Sequence, residues 1–314
     1  MVTAAENRRR LARMARWAGG ALGVAVIGVG IYGCATWRAI DQEIASTPRD
    51  PQTGVILGAE AIWIHPPDGN DRHPGRAVLM LHGFLGSRSD FADLGERLAA
   101  EGLAVRMARL PGHGTTPRDF AAHDGDSILQ GARAELEALR EQFDQVDVVG
   151  FSMGGALGTM LAAEGGVDRL VLIAPYYGVT HRWWYVLPIE TWLATAGRLV
   201  PYVIKYDRFI KVNRTEARED IFSYRVVSTR GSEALIDLGR RARRPETLEA
   251  VRCPVLMIHS ESDEASCPHR ARRVFERIAG DDKRAVWVDP RNNHHLLWDH
   301  DREAIKAAVV EWLQ

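Results

Sequence analysis

A serine flanked by glycines lies between an apolar run and a stretch of small residues near the middle of the chain. The mostly apolar run covers residues 146–149, the motif Gly-Phe-Ser-Met-Gly-Gly covers 150–155, and mostly small residues continue over 156–163. This pattern predicts a strand, a tight turn and a helix, with Ser152 pushed out of the backbone at the turn. The positions flanking the serine must be small because strand and helix nearly collide there. Ser152 is the candidate nucleophile, and an inert glycine-rich turn is the alternative.

Apolar runs and helical patterns alternate on both sides of this motif. Besides the run before Ser152, strands are predicted over residues 61–65, 77–81, 103–110, 170–174, 255–259 and 285–288. Helices are predicted over residues 90–100, 128–143, 270–278 and 302–313. The alternation is typical of a parallel, doubly wound α/β sheet.

Residues 176–245 break the alternation, because they are too many for an ordinary connection between strand and helix. We predict a mostly helical cap inserted above the strand ends where Ser152 lies. Its aromatic side chains either form the core of the cap or, in part, roof a pocket. They are Trp183, Trp184, Tyr185, Trp192, Tyr202, Tyr206, Phe209, Phe222 and Tyr224.

Four segments give the chain a family resemblance: Leu-His-Gly-Phe at 81–84, Leu-Pro-Gly-His-Gly at 110–114, the motif at Ser152, and the C-terminal part with Asp263 and His294. From about residue 55 onward the chain resembles the α/β-hydrolase superfamily, and within it the carboxylesterase and monoacylglycerol-lipase-like branch. The resemblance implies a doubly wound, mostly parallel eight-stranded sheet with helices on both faces. It also implies that Ser152 works with an acid and a histidine further along the chain.

The acid is expected in Ser-Glu-Ser-Asp-Glu at residues 260–264, after a predicted strand. A serine hydroxyl needs a base to take its proton and a carboxylate to orient that base. Asp263 matches the position that the family uses. Because Pro268 stands one residue further on than in the family, Glu264 and Glu261 remain alternatives.

The histidine is expected in Asn-Asn-His-His-Leu-Leu-Trp-Asp at residues 292–299. In the family, the catalytic histidine stands five residues before an acidic residue that leads into the last helix, and His294 has this spacing to Asp299. His295 is the alternative base or a residue of the pocket wall.

The oxyanion of an acyl-transfer reaction needs two preorganised donors. The backbone amide of Met153, directly after the nucleophile, is the first candidate. By the resemblance, the second is the amide of Phe84, whose ring would border the acyl pocket. His82 and His113 are interpreted as structural residues of their loops.

Composition argues against several classes of function. The formal net charge of −1 gives no overall field that would favour nucleic acid. The chain has no Cys/His spacing typical of a metal site and no dinucleotide or Walker motif, so we expect neither a metal nor a cofactor. Cys253 and Cys267 flank a predicted strand that would hold them too far apart to bridge, and both are expected to be free thiols.

Residues 17–37 carry no charge, are long enough to span a bilayer and have a tryptophan at each end. Five arginines precede this run, so the positive-inside rule places the N-terminus in the cytoplasm. One alternative is a cleaved secretory or lipoprotein signal, since Ile-Tyr-Gly-Cys at residues 31–34 loosely resembles the lipobox that precedes a lipid-modified cysteine, here Cys34. The other alternative is a buried helix. The expected division is a basic cytoplasmic segment at 1–16, a transmembrane signal anchor at 17–37, a tether at 38–54, and an outer hydrolase domain at 55–314 with its cap at 176–245.

Together these patterns predict a membrane-anchored serine hydrolase that cleaves small-molecule or lipid esters of carboxylic acids through an acyl-enzyme. A peptidase, an amidase or an acyltransferase could use the same triad, and a non-enzymatic binding protein could share the fold. A peptidase would need carboxylates in the cap, for which Glu216, Glu219 and Asp220 are the candidates. The oligomeric state stays open.

Overall fold

A computed structural model describes residues 4–70, 72–180, 191–193, 197, 199–205 and 210–314. A seven-stranded sheet forms the centre of the described part. Its strands are β1 Ile62–Ile64, β2 Arg76–Leu81, β3 Ala104–Met107, β4 Gln145–Phe151, β5 Leu170–Ile173, β8 Val255–Ser260 and β9 Lys283–Val288. They lie in the order β1-β3-β2-β4-β5-β8-β9; the edge strand β1 runs antiparallel to β3, and all other neighbouring strands are parallel.

The sheet has one strand fewer than the family resemblance implied. Residues 47–61, which precede β1, form turns closed by an isolated bridge between Arg49 and Ile56, so no further strand extends the edge beside β1 in the described residues. The seven segments with strand patterns correspond to the seven strands. The prediction of eight strands is therefore corrected to seven, while the mostly parallel, doubly wound architecture is confirmed.

Helices cover both faces of the sheet, and successive residues of β2 enter two different cores. Leu79 belongs to one buried cluster, whereas Val78 and Met80 belong to the other. Both faces are therefore apolar, as expected for a parallel sheet. The helices are α1 Ala4–Ser46, α2 Leu94–Ala100, α3 Pro117–Ala122, α4 Gly125–Arg140, α5 Met153–Glu164, α6 Thr229–Ala242, α7 Pro245–Ala250, α8 Pro268–Arg277 and α9 Arg302–Leu313.

The insertion after β5, predicted as a mostly helical cap, is described only in part. Its described part contains a two-stranded antiparallel ribbon, formed by β6 (Tyr202–Ile204) and β7 (Val226–Ser228). Helix α6 begins at the Ser228 cap and packs with α5 in the main core, so it belongs to the helical layer rather than to a cap. Residues 181–190, 194–196, 198 and 206–209 lie outside the description, and with them Trp183, Trp184, Tyr185, Tyr206 and Phe209.

Helix α1 continues without interruption to Ser46, so the first part of the segment expected as a tether, 38–54, is helical. Its last turns pack on the ribbon, where Ile40 is buried with Tyr202 and Val226. Asp41 also pairs with Arg118 of α3. Short turns over residues 47–61 then lead from α1 to β1.

The predicted membrane span lies within α1. Among the described residues, no helix is both long and apolar enough to cross a bilayer. Within the predicted span, the side chains at positions 18, 19, 21, 22 and 24–26 lie outside the description.

Candidate active site

Ser152 occupies the turn between β4 and α5, as its sequence motif predicts. Its φ of 52° lies in the left-handed region, which a non-glycine residue adopts at some cost. The glycines on either side make the turn possible. A Cβ at Gly154 would lie 1.8 Å from the Leu81 carbonyl oxygen, and one at Gly150 would lie 2.3 Å from the Gly154 carbonyl oxygen. Because Gly150 and Gly154 lack side chains, strand and helix can approach closely enough to project the serine side chain.

The structure brings the three predicted triad residues together. The Ser152 hydroxyl lies 2.9 Å from His294 Nε2, and His294 Nδ1 lies 2.7 Å from Asp263 Oδ2. With the Nδ1–H donating to Asp263, the Nε2 atom is free to accept the serine proton. This is the geometry that general-base activation of a serine requires.

Asp263 is separated from its two rivals by the direction of its side chain. It is 2% exposed, and its second carboxylate oxygen accepts the amides of Ala265 (2.7 Å) and Ser266 (2.8 Å). Glu264 instead pairs with Lys211, and Glu261 pairs with Arg272 at the surface. Burial alone would raise the pKa of Asp263, but the neighbouring His294 and the hydrogen bonds hold that pKa below its usual value. The acid therefore stays ionised beside the histidine.

His294 is held by its own backbone and by an aromatic ring. Its amide donates to Asn293 Oδ1 (2.9 Å), and the Asn293 amide donates to the buried Asp299 (2.8 Å). Its ring packs on Phe151, with the centroids 5.0 Å apart. Asp299, which the sequence spacing singled out, therefore orients the loop of the histidine rather than the imidazole itself.

His295 contacts the same phenyl ring but not the serine. Its Nδ1–H faces the Lys211 carbonyl oxygen at 3.2 Å, and its ring lies 5.4 Å from that of Phe151. Burial, followed by the nearby His294, lowers the pKa of His295 to about 3. An imidazole of such low basicity, which faces a backbone carbonyl oxygen and not Ser152, fits a wall of the site rather than the base.

The two predicted oxyanion donors have free amides. Neither the Phe84 nor the Met153 amide donates a hydrogen bond to another described group. Met153 is the first residue of α5, so its N–H also points along the positive end of that helix. Two unoccupied donors beside an activated serine are what a tetrahedral oxyanion needs.

Asp90, which sequence reasoning placed at the start of a helix, lies beneath residues 82–89, the segment that follows β2 and carries Phe84; we call it the oxyanion loop. It is buried, and its Oδ2 accepts the Gly83 amide at 2.8 Å. A Cβ at Gly86 would approach the same carboxylate to 2.2 Å, so the loop is wrapped tightly around Asp90. Burial raises the pKa of Asp90 to about 7. No sequence signal separated this carboxylate from an ordinary helix cap.

The end of the insertion lies on the outer side of the same loop. The Phe222 amide donates to Ser89 Oγ (3.0 Å), and the Tyr224 amide donates to the Leu85 carbonyl oxygen (3.3 Å). The half-buried Phe84 ring packs on the buried ring of Phe120, with the centroids 5.4 Å apart. Of the aromatic residues that the sequence singled out, Phe222 and Tyr224 therefore contact the loop that carries Phe84, whereas Tyr202 packs on α1.

The remaining polar candidates have structural positions. The His82 Nδ1–H faces the Gly83 carbonyl oxygen (2.9 Å), and its Nε2 accepts the Leu110 amide (3.2 Å). Burial lowers the pKa of His82 to about 4, so this histidine is a neutral link between two loops. Glu216 pairs with Arg214 at the surface, and Glu219 and Asp220 are exposed. No group of three potential ligands in the described part is arranged to hold a metal ion.

Comparison with known proteins gives consistent matches. The model of a family described as serine aminopeptidase, S33, matches residues 72–301. A carboxylesterase of Bacillus subtilis is 21% identical over 76% of this chain and 92% of that enzyme. A thermostable monoacylglycerol lipase of Bacillus sp. is 27% identical over 75% of this chain and 89% of that enzyme. Among solved structures, one from a study of the metagenome-derived lipolytic enzymes LipS and LipT has a TM-score of 0.71 and 26% identity over 82% of this chain and 98% of that one.

Proposed function

The chain belongs to the serine aminopeptidase S33 family of α/β-hydrolases and is a serine hydrolase of the esterase or lipase type, and we propose that it cleaves carboxylic esters through an acyl-enzyme. The observation that carries this proposal is the continuous hydrogen-bonded path from Ser152 through His294 to Asp263. The two free amides of Phe84 and Met153 add the complementary donors.

The proposed reaction follows from these positions. His294 Nε2 takes the hydroxyl proton as Ser152 Oγ attacks the ester carbonyl, and the oxyanion forms against the two amides. The same imidazolium then gives its proton to the departing alcohol, which leaves an acyl-serine. A water molecule, deprotonated by His294, attacks the acyl-serine and releases the carboxylic acid.

An ester is favoured over an amide by the named relatives and by the insertion. The two curated relatives described above are a carboxylesterase and a monoacylglycerol lipase. The surface carboxylates Glu216, Glu219 and Asp220 are exposed, and Glu216 is already engaged by Arg214. They do not form the buried cluster that would hold the amine of a peptide substrate.

The preferred substrate is expected to combine a medium-length or longer acyl chain with a small alcohol. The half-buried rings of Phe84 and Phe222 supply apolar surface at the oxyanion loop, and the buried rings of Phe120 and Tyr224 pack against them. Each buried methylene adds about 0.8 kcal/mol, which corresponds to a roughly fourfold gain in kcat/KM per carbon until the pocket is full. The measurement is a series of p-nitrophenyl and monoacylglycerol esters of graded chain length, assayed with the full chain.

Two results of this series would contradict the substrate proposal. A kcat/KM that peaks at the acetate ester and falls steadily to the hexanoate would indicate a small-ester hydrolase. Faster turnover of aminoacyl amides than of any ester would indicate a peptidase. The Ser152→Ala protein, assayed in parallel, gives the background rate of ester hydrolysis.

We further propose that α1 attaches the enzyme to a membrane, with the N-terminus in the cytoplasm and the catalytic domain on the outer side. The support is the uncharged run at residues 17–37, the arginines before it, and the exposed apolar side chains of Trp17, Ile27 and Ile31. The full chain should stay with the membrane fraction after high-salt and carbonate washes, and the Ile27→Lys/Ile31→Lys double variant should be released more readily.

Release of the unaltered protein by salt alone would contradict attachment through α1. Protease added from the outside should reach the catalytic domain if the proposed orientation is right. A mature N-terminus that begins at a lipid-modified Cys34 would instead support the lipoprotein alternative.

A further inference from the structure

Glu43, in the last turns of α1, is buried against the β6–β7 ribbon. Its carboxylate accepts hydrogen bonds from the amides of Arg225 (2.9 Å) and Val226 (3.2 Å), and the residue is 7% exposed. Burial raises the pKa of Glu43 above its usual value, although the two amides act in the opposite direction. Hydrogen bonds to a charged carboxylate are about twice as strong as neutral ones. The two amide bonds therefore hold Glu43 firmly in one position on the ribbon.

Two more contacts place the same stretch of α1 on the ribbon. Ile40 is fully buried with Tyr202 and Val226, and the Tyr32 hydroxyl accepts the Ile204 amide at 3.2 Å. A ribbon of two short strands is only marginally stable by itself in water. Helix α1 therefore supplies the packing that keeps the ribbon in place.

The ribbon in turn continues into the segment that lies on the oxyanion loop. The cap segment, residues 222–226, includes the two amides that Glu43 accepts and the two that bond to Leu85 and Ser89. Tyr224 is fixed further by its hydroxyl, which donates to the Gly112 carbonyl oxygen and accepts the Thr115 amide. Leu85 directly follows Phe84, the predicted oxyanion donor. The backbone of the cap segment thus joins two sets of hydrogen bonds, one to Glu43 and one to the loop that carries the Phe84 amide.

We propose that Glu43 is a positioning residue for the oxyanion hole, which it stabilises through the cap segment. The inference rests on the proposed function of the Ser152 site. Glu43 touches no reacting atom, so its effect is on where the Phe84 amide is held. An oxyanion donor is most effective in the transition state, and a small displacement weakens it there more than it weakens substrate binding. The loss of Glu43 should therefore lower kcat and leave KM nearly unchanged.

The test uses full-length Glu43→Ala and Glu43→Gln, with Gln42→Ala as the matched control on the exposed side of the same turn. We expect Glu43→Ala to lower kcat about tenfold, below the 10²–10³-fold cost of deleting an oxyanion donor outright. Glu43→Gln, which keeps one carbonyl oxygen as acceptor, should lose less, and Gln42→Ala should match the unaltered protein. Active sites are counted by fluorophosphonate labelling, so that kcat refers to folded enzyme.

A double-mutant cycle with Ser89→Ala separates this path from a general loss of stability. Ser89 Oγ accepts the Phe222 amide, so both variants weaken the same link between cap segment and loop. We expect the double variant to lose much less kcat than the product of the single losses. The inference would be overturned if the loss of kcat in the double variant equalled the product of the two single losses. It would also be overturned if Glu43→Ala left kcat unchanged. If Glu43→Ala does not fold, the cycle with Glu43→Gln decides in the same way. Turnover that persists in Ser152→Ala would instead overturn the proposed function.

Discussion

Ser152→Ala should lower ester kcat by about four to six orders of magnitude while the protein keeps its fold. The serine supplies the only covalent bond to the acyl group in the proposed mechanism, so no intermediate can form without its oxygen. The backbone strain is unchanged, because alanine and serine meet the same steric cost at a φ of 52°. The measurements are steady-state turnover of a p-nitrophenyl ester and labelling by a fluorophosphonate, both on protein whose circular dichroism matches that of the unaltered chain.

Ser262→Ala is the matched control for this prediction. Ser262 lies in the loop that carries the catalytic acid, and its side chain makes no hydrogen bond to another described group. Its replacement should leave kcat within about twofold, as expected for a surface substitution. Stoichiometric fluorophosphonate labelling of the Ser152→Ala protein would show that another residue is the nucleophile.

His294→Ala should lower kcat by several orders of magnitude, whereas His295→Ala should lower it by no more than about tenfold. His294 Nε2 lies 2.9 Å from the serine hydroxyl, and its other nitrogen is oriented by Asp263. His295 has its Nδ1 at the Lys211 carbonyl oxygen, and its pKa of about 3 makes it neutral over the working range. The measurement is kcat for both variants on the same ester.

The two histidines control for one another, since they are neighbours that pack on the same Phe151 ring. A loss of packing should therefore appear in both variants as a lower unfolding temperature. If His295→Ala had the larger effect on kcat, the base would be assigned to the wrong residue. Equal losses in the two variants would indicate that packing, not proton transfer, is what the substitutions disturb.

The sheet and the serine turn could be predicted from sequence because each is encoded by neighbouring residues. Apolar runs mark the seven strands, and the glycines at 150 and 154 occupy two positions of the serine turn where a side chain would clash. The family match across residues 72–301 confirms the superfamily that the motifs indicated. The family motif also singled out His294, which the structure places beside Ser152.

Loops and long-range contacts could not be predicted in the same way. The spacing along residues 260–264 left three carboxylates open, since side-chain direction in a loop depends on which amides each oxygen finds. The sequence pattern places Asp90 at the start of a helix. The left-handed backbone of Ala92, at a φ of 51°, interrupts the helical conformation, and α2 begins only at Leu94. The three-residue strands of the ribbon are too short for an alternating pattern. No sequence pattern marks Glu43 as buried, because its two partners lie far along the chain.

The unbroken course of α1 has an angular consequence. Every residue of an α-helix adds about 100° of rotation and about 1.5 Å of rise. The helix is fixed to the ribbon at Ile40 and Glu43. The side of the helix axis on which Ile27 and Ile31 lie, relative to Ser152, is therefore set by the number of residues between them and Ile40. One residue inserted near Arg38 would rotate the face of Ile27 and Ile31 by about 100° around the helix axis. About seven inserted residues would return that face almost to its original orientation. With a flexible linker, such insertions would not change the orientation of this apolar face. In a continuous helix they do, so the number of residues in α1 determines that orientation.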